Sequence, residues 1–282
     1  MLRKHEGPLA RDGGGTVTNK DDIYAALNRA YFSDEMHEEE VIHNLPVLLR
    51  GTRLFVDIGA SLGQYTFFAS QHMQGGHIVA IEPDPLRFEQ LERNCQEWST
   101  ASGNQVTALH CAVSDTEGQI PFYATNTSLS GGLFKHEVSE SMLKASGLDD
   151  LQWHDTIVDC HTLDGLFPGH GPDLVKIDVE GAELRVLRGA SRILKEGKTV
   201  FLVELHGSWA SPEGQDTSQE VVHLMQSFGY QHLNFHGRTL FVNRRSRMPW
   251  TFFIKPTLRA MASKLRTLVG ATAVGVSSRG RQ

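Results

Sequence analysis

The stretch DLVKIDVEGAELRVLRGA, residues 173–190, sets Lys176, Asp178 and Glu180 at alternate positions among Leu174, Val175, Ile177 and Val179 and then runs, from Gly181, straight into a helix-like pattern. Residues two apart on a strand share a face, so the three charged groups are expected to point the same way. Further along, FLVELHG (201–207) places Glu204 and His206 together by the same rule. A histidine whose ordinary pKa lies near neutrality and carboxylates beside it are the groups that accept protons in general-base catalysis. His206, Asp178, Lys176 and Glu180 are therefore the candidate catalytic residues. A lysine inside an apolar strand needs a counter-charge, so an ion pair from Lys176 to Asp178, Glu180 or Glu204 is expected, whether its role is structural or catalytic. Asp178, Glu180 and His206 are also metal-ligand types that could assist through a metal, but their spacing does not demand one.

A second set of residues has the chemistry of a nucleotide site. VDIGASLGQYT runs from a strand through Asp57, Gly59, Ala60, Ser61 and Gly63 into a helix that opens with Tyr65 and Thr66. Glycines there allow a sharp turn and bring main-chain amides at a helix N-terminus close to a ligand. The GK[ST] ending of a phosphate-binding P-loop is absent. IEPDP follows, with Glu82 and Pro83 at the end of the next strand; Glu82 stands 25 positions after Asp57, where a carboxylate can accept hydrogen bonds from ribose hydroxyls. In CAVSD, Ala112 and Val113 are small apolar groups suited to an adenine plane.

The elements that must position these residues alternate in type. RLFVDIGA, HIVAIEPD, QVTALHCAVS, DLVKIDVEG and TVFLVELHG read as strands, with helical stretches such as PLRFEQLERNCQEW and SQEVVHLMQSF between them. Short apolar strands linked by helices imply a parallel sheet covered on both faces, doubly wound by right-handed crossovers. YQHLNF and TLFVN flank HGR as an antiparallel pair. QIPFYA and DTIVDCHTL are strands of an irregular insert, residues 115–172. DEMHEEEVIHNLPVLL reads as a helix at least as far as its proline, and His37 and His43 within it as part of a solvated face.

A parallel sheet closed by a hairpin is the arrangement of class I methyltransferases, and the motifs match it. VDIGASLGQYT, IEPDP, CAVSDTEGQIPFY, TLDGL, DLVKIDVEGAELRVLRGA and FLVELHG, in this order, resemble the FkbM family of S-adenosylmethionine-dependent methyltransferases over roughly Phe55 to Val242. The resemblance implies a Rossmann-like α/β fold with a mostly parallel seven-stranded sheet and a C-terminal antiparallel hairpin. It also implies S-adenosyl-L-methionine as cofactor and transfer of its methyl group to a hydroxyl of a sugar, lipid, polyketide or other small metabolite. Asp178 then has a third candidate role, holding the methionine amino group. Ser61 departs from the GANxG pattern common in the family, replacing the usual asparagine; a serine keeps one hydrogen bond there. Asn126, Ser128 and Ser130 in TNTSLSGGLFKHE offer neutral groups to a polyhydroxylated acceptor. The alternatives are a nicotinamide-dependent oxidoreductase, disfavoured by the absent GxGxxG, and an inactive cofactor-binding scaffold.

Charge divides the chain. Residues 244–282 hold nine Lys/Arg and no Asp or Glu; removing nine from the total of 27 bases leaves 18 against 33 acids, so residues 1–243 carry −15. An acidic body argues against nonspecific nucleic-acid binding. The basic tail has Leu258, Met261, Leu265 and Leu268 at helical spacing and is a candidate for peripheral membrane or partner contact. Cys95, Cys111 and Cys160 form no CxxC, which fits a reduced, cytoplasmic protein. The expected organisation is an arm (1–20), a helical extension (21–50), the methyltransferase domain (51–243) and the tail (244–282).

Overall fold

The computed structural model describes residues 39–125, 132–133, 153–207 and 216–247. Seven strands form the main sheet, β1 (Leu54–Ile58), β2 (His77–Ile81), β3 (Gln105–Leu109), β7 (Leu174–Ile177), β8 (Val200–Val203), β9 (Tyr230–Phe235) and β10 (Arg238–Asn243). Their order across it is β3-β2-β1-β7-β8-β10-β9. The first five are parallel, and β10 returns antiparallel to both β8 and β9. The order reverses between β1 and β7, which places a crevice at the carboxyl ends of those strands.

Every residue of β7 and β8 is buried, as expected of central strands covered on both faces. Around the sheet pack α2 (Gln64–His72), α3 (Pro85–Ser102), α4 (Leu163–Leu166), α5 (Glu183–Arg188), α6 (Ser191–Glu196) and α7 (Ser218–Ser227). Val186, Leu187, Ile193, Leu194, Val221 and Met225 from the last three meet Val175, Ile177, Phe201 and Val203 in one core. Each such side chain contributes about 1.5–3 kcal/mol by leaving water. α3 starts where its sequence says it should: Asp84 accepts hydrogen bonds from the amides of Leu86 and Arg87, and Pro85 occupies the first turn.

α1 (Glu39–Leu49), the helix expected at least as far as its proline, runs beyond Pro46; burial of Val41, Leu45, Leu48 and Leu49 offsets the roughly 3 kcal/mol that an interior proline costs. Arg247 further secures its end by donating to the carbonyls of Leu48 and Arg50. The structure departs from the sequence reading in three places. QVTALHCAVS is two strands: β3 stops at Leu109, and β4 (Ala112–Val113) pairs with β6 (Trp153–His161) in a second sheet of order β4-β6-β5, with β5 at Gly118–Thr125. The helix after Gly181 is broken into α5 and α6 at Gly189–Ala190, where a side chain on Gly189 would meet the Ser114 carbonyl oxygen at 2.1 Å. Lastly, β7 ends at Ile177, so Asp178 and Glu180 stand in a turn beyond the strand. No helix among the described residues is long and apolar enough to cross a membrane.

Candidate active site

Three strand tips are stitched together at the crevice. The amides of Gly59 and Ala60 donate to the Ile81 carbonyl, both at 3.0 Å, and the Asp178 amide donates to the Ile58 carbonyl at 3.1 Å. Gly59 takes φ +74° and lies so close to the next loop that a Cβ there would sit 1.7 Å from the Asp178 carbonyl oxygen. Gly63, at φ +93°, is similarly confined, its Cβ position lying 2.7 Å from the Trp98 ring. The two glycines therefore serve close packing of the loop onto the sheet and onto α3.

Lys176 is the centre of this junction and is 5% exposed. Its Nζ donates to the Gly59 carbonyl at 3.1 Å, pairs with Asp178 at 3.1 Å and Asp57 at 3.4 Å, and lies 4.8 Å over the Tyr65 ring. Thr66 Oγ1 donates to the other Asp57 oxygen at 2.8 Å. Burial pushes the Asp57 carboxyl up despite the nearby ammonium and hydroxyl. Asp57, Tyr65 and Thr66 are thus buried supports beneath the loop.

Glu82 is buried and accepts from the amides of Ser61 at 2.8 Å and Asp84 at 2.9 Å. Burial outweighs those bonds and Arg87, and its pKa is raised to about 7. Ser61 adopts φ +52°, a left-handed conformation that asparagine tolerates better than serine. Its buried Oγ has no hydrogen-bond partner. Pro83 is half-buried, and its carbonyl is 3.1 Å from His110 Nε2. Ala112 and Val113 are packed within β4 rather than open at the tip of β3.

On the other side of the Lys176 junction, His206 is surrounded by carboxylates. Its Nδ1 is 2.7 Å from Glu183 Oε1, and its Nε2 stands 3.6 Å from Glu180, 3.7 Å from Asp178 and 4.0 Å from Glu204. Burial works against the charged ring, but the Glu183 hydrogen bond and the surrounding carboxylates raise its pKa to about 9. Burial and the neighbouring Asp178 lift Glu180 to about 7. For Asp178 burial acts upward as well, yet Lys176 and His206 prevail and keep the carboxyl below its usual value. Glu180 also holds φ +51°, unusual for a residue other than glycine, next to Gly181 at +95°. Arg238, at the start of β10, closes the group with a 2.8 Å bond to Glu204.

All four candidate catalytic residues therefore meet, with Asp178 bridging the lysine and histidine halves. The loop residues and Glu82 adjoin them through Gly59. Asn126, Ser128 and Ser130 lie outside the described residues. Glu183 and Arg238 were not among the sequence candidates. A Glu183 so close to a helix start reads only as a helix-dipole partner, and Arg238 belongs to a hairpin turn. Ligand atoms of Asp178, Glu204 and His206 come within 4.8 Å of one another, a set of metal-ligand types. Lys176 and Arg238 already neutralise its two carboxylates.

The sheet order, the terminal hairpin and the crevice at the strand tips define a class I methyltransferase fold. The methyltransferase FkbM domain family matches residues 57–232, and the chain belongs to that family of S-adenosylmethionine-dependent methyltransferases. Methyltransferase sdnD of Sordaria araneosa is 28% identical over 205 residues, 61% of this chain and 77% of that protein. Hexuronic acid methyltransferase AglP of Haloferax volcanii is 28% identical over 172 residues, 60% of this chain and 62% of that protein. 31-O-demethyl-FK506 methyltransferase FkbM of Streptomyces tacrolimicus is 30% identical over 183 residues, 58% of this chain and 67% of that protein.

The residues present fit the cofactor. The buried, unpartnered Ser61 hydroxyl and the desolvated Glu82 carboxyl are polar groups that a nucleoside would satisfy.

Proposed function

We propose that this protein transfers the methyl group of S-adenosylmethionine to a hydroxyl oxygen of a small metabolite, with Glu180 as the general base. The observation that carries the assignment is Glu180 itself. It is a carboxyl with a pKa near 7, held in a strained turn beside the anionic Asp178. A base works best when its pKa lies near the operating pH, and strained backbone is retained where the site requires it.

When bound, S-adenosylmethionine supplies an electrophilic methyl group on a sulfonium. Glu82 would hold the ribose hydroxyls, and the Ser61 hydroxyl would face the nucleoside from the 59–63 loop. Lys176 fixes that loop to Asp178, so the cofactor platform and the base share one rigid junction. Glu180 would take the hydroxyl proton as the oxygen attacks. His206, protonated at neutral pH, is a positioning residue: its charge offsets Asp178 and Glu180, and Glu183 sets its ring orientation. The acceptor class draws support from the relatives named for a hexuronic acid and for 31-O-demethyl-FK506. Asn126, Ser128 and Ser130 are proposed to contact it.

The test is a pH–rate profile on a panel of hydroxylated acceptors. Glu180→Gln should lower kcat roughly 10²–10⁴-fold with S-adenosylhomocysteine affinity retained, and the rising limb near pH 7 should vanish. His206→Asn should retain a base-dependent limb, displaced to higher pH because Glu180 loses a stabilising cation. If instead His206→Asn removes the limb and Glu180→Gln keeps it, the two roles must be exchanged.

A further inference from the structure

At the opposite pole of the sheet lies a cavity that methyl transfer does not use. β10 runs antiparallel to β8, with Thr239 beside Val203 and Phe241 beside Phe201. Arg238 is thus at the reaction end, against Glu204, and Asn243 is at the far end. There an open cavity of about 760 Å³ is bordered by Lys195 of α6, Gln231 and His232 of β9, and Asn243, Arg244 and Arg245. No carboxylate borders it among the described residues. Glu196, next to Lys195, is paired with Arg192.

The cations stand on fixed backbone. Asn243 Nδ2 donates to the Phe228 carbonyl at 3.1 Å, and its Oδ1 accepts from the Arg245 amide at 3.2 Å. The amide and hydroxyl of Ser246 both donate to the Asn243 carbonyl, at 3.0 Å and 2.6 Å. The turn that presents Arg244 and Arg245 is therefore closed by side-chain and main-chain bonds. Lys195, Arg244, Arg245 and His232 are all exposed around the opening.

Like charges gathered on rigid elements repel one another unless an anion lies between them. In this chain the gathering is selective: residues 244–282 carry nine bases and no acid, whereas residues 1–243 carry −15. Arginine forks match phosphate oxygens in bidentate geometry, lysine adds a point charge, and side-chain amides complete the hydrogen bonds.

We infer that this polar cavity is a binding site for a phosphate-bearing ligand, separate from the methyl-acceptor site. The phosphate comes from a soluble phosphorylated compound or from the headgroup of an anionic lipid, with the same recognition chemistry in both cases. The proposal does not depend on the assignment of the base.

The experiment uses the full chain and the triple variant Lys195→Gln, Arg244→Gln, Arg245→Gln. Calorimetric titration with inorganic pyrophosphate tests the soluble source. Co-sedimentation with phosphatidylcholine vesicles, with and without phosphatidylglycerol, tests the lipid source. Saturable binding of either probe, weakened roughly tenfold or more in the triple variant, supports the site. Binding of pyrophosphate alone assigns a soluble ligand, and vesicle binding that requires phosphatidylglycerol assigns a headgroup. S-adenosylhomocysteine affinity should be the same in both proteins, which shows that the variant is folded. Failure of both probes to bind, or equal binding by wild type and variant, overturns the inference.

Discussion

Replacing Lys176 with methionine tests the junction on which the whole site rests. The ammonium contacts the Gly59 carbonyl, Asp178 and Asp57, and Asp57 is 0% exposed. Methionine fills a similar volume but leaves the carboxylates without their cation. Breaking a buried pair from one side costs about 3–5 kcal/mol. For a domain of this size each kcal/mol moves Tm by about 2–4 °C, so the expected fall is roughly 6–20 °C. Its pH dependence follows from Asp57, whose pKa is already raised by burial and rises further once Lys176 is gone. A carboxyl raised in the folded state favours folding where it is protonated, and that advantage is lost as pH climbs from its unfolded value through its folded one. The Tm gap between wild type and Lys176→Met should therefore be smaller at pH 5 than at pH 8. Adding Asp57→Asn should recover part of the loss at pH 8, because an amide needs no counter-charge. Thermal melts followed by circular dichroism read all three proteins at both pH values. A Tm within about 2 °C of wild type, or a gap unchanged by pH, would refute the reasoning.

Further consequences can be measured separately. Glu82, near 7 in the free protein, must be ionised to accept two ribose hydroxyls, so S-adenosylhomocysteine affinity should fall below pH 7 by up to about tenfold per pH unit. Calorimetry should show that slope flattened in Glu82→Gln. The His206 ring should titrate near 9 by NMR, and Glu183→Gln should bring the midpoint down; an unchanged midpoint would remove Glu183 as the orienting group. Gly63→Ala places a methyl 2.7 Å from Trp98 at φ +93° and should cost about 1–3 kcal/mol in urea unfolding.

The sheet was legible because apolar runs and helical stretches alternate along the chain, and the HGR turn announced the closing hairpin. The division of QVTALHCAVS was not legible. It contains no glycine, proline or asparagine to mark a break, and only tertiary pairing sends Ala112 and Val113 to β6 instead of prolonging β3. The candidate catalytic residues were found by type and alternation, but alternation ceases at Ile177. Asp178 and Glu180 remain together because the chain turns through positive φ at Glu180 and Gly181, a conformation the residue types do not specify. His206 read as a base from its ordinary pKa. Its proposed role changes because Glu183, 23 residues earlier, reaches its ring across the fold, a contact that local sequence cannot reveal. Ser61 was recognised as a departure from the family pattern, and its unpartnered hydroxyl gives that departure a physical counterpart.

The most direct measurement is the fate of an isotopically labelled methyl group. Wild-type protein and Glu180→Gln are incubated with methyl-¹³C S-adenosylmethionine and the hydroxylated acceptor panel, and products are read by carbon NMR and mass spectrometry. The account predicts label in a methyl ether, formed by wild type and lost roughly 10²-fold or more in Glu180→Gln. Label on nitrogen or carbon, or equal ether formation by the two proteins, would contradict it.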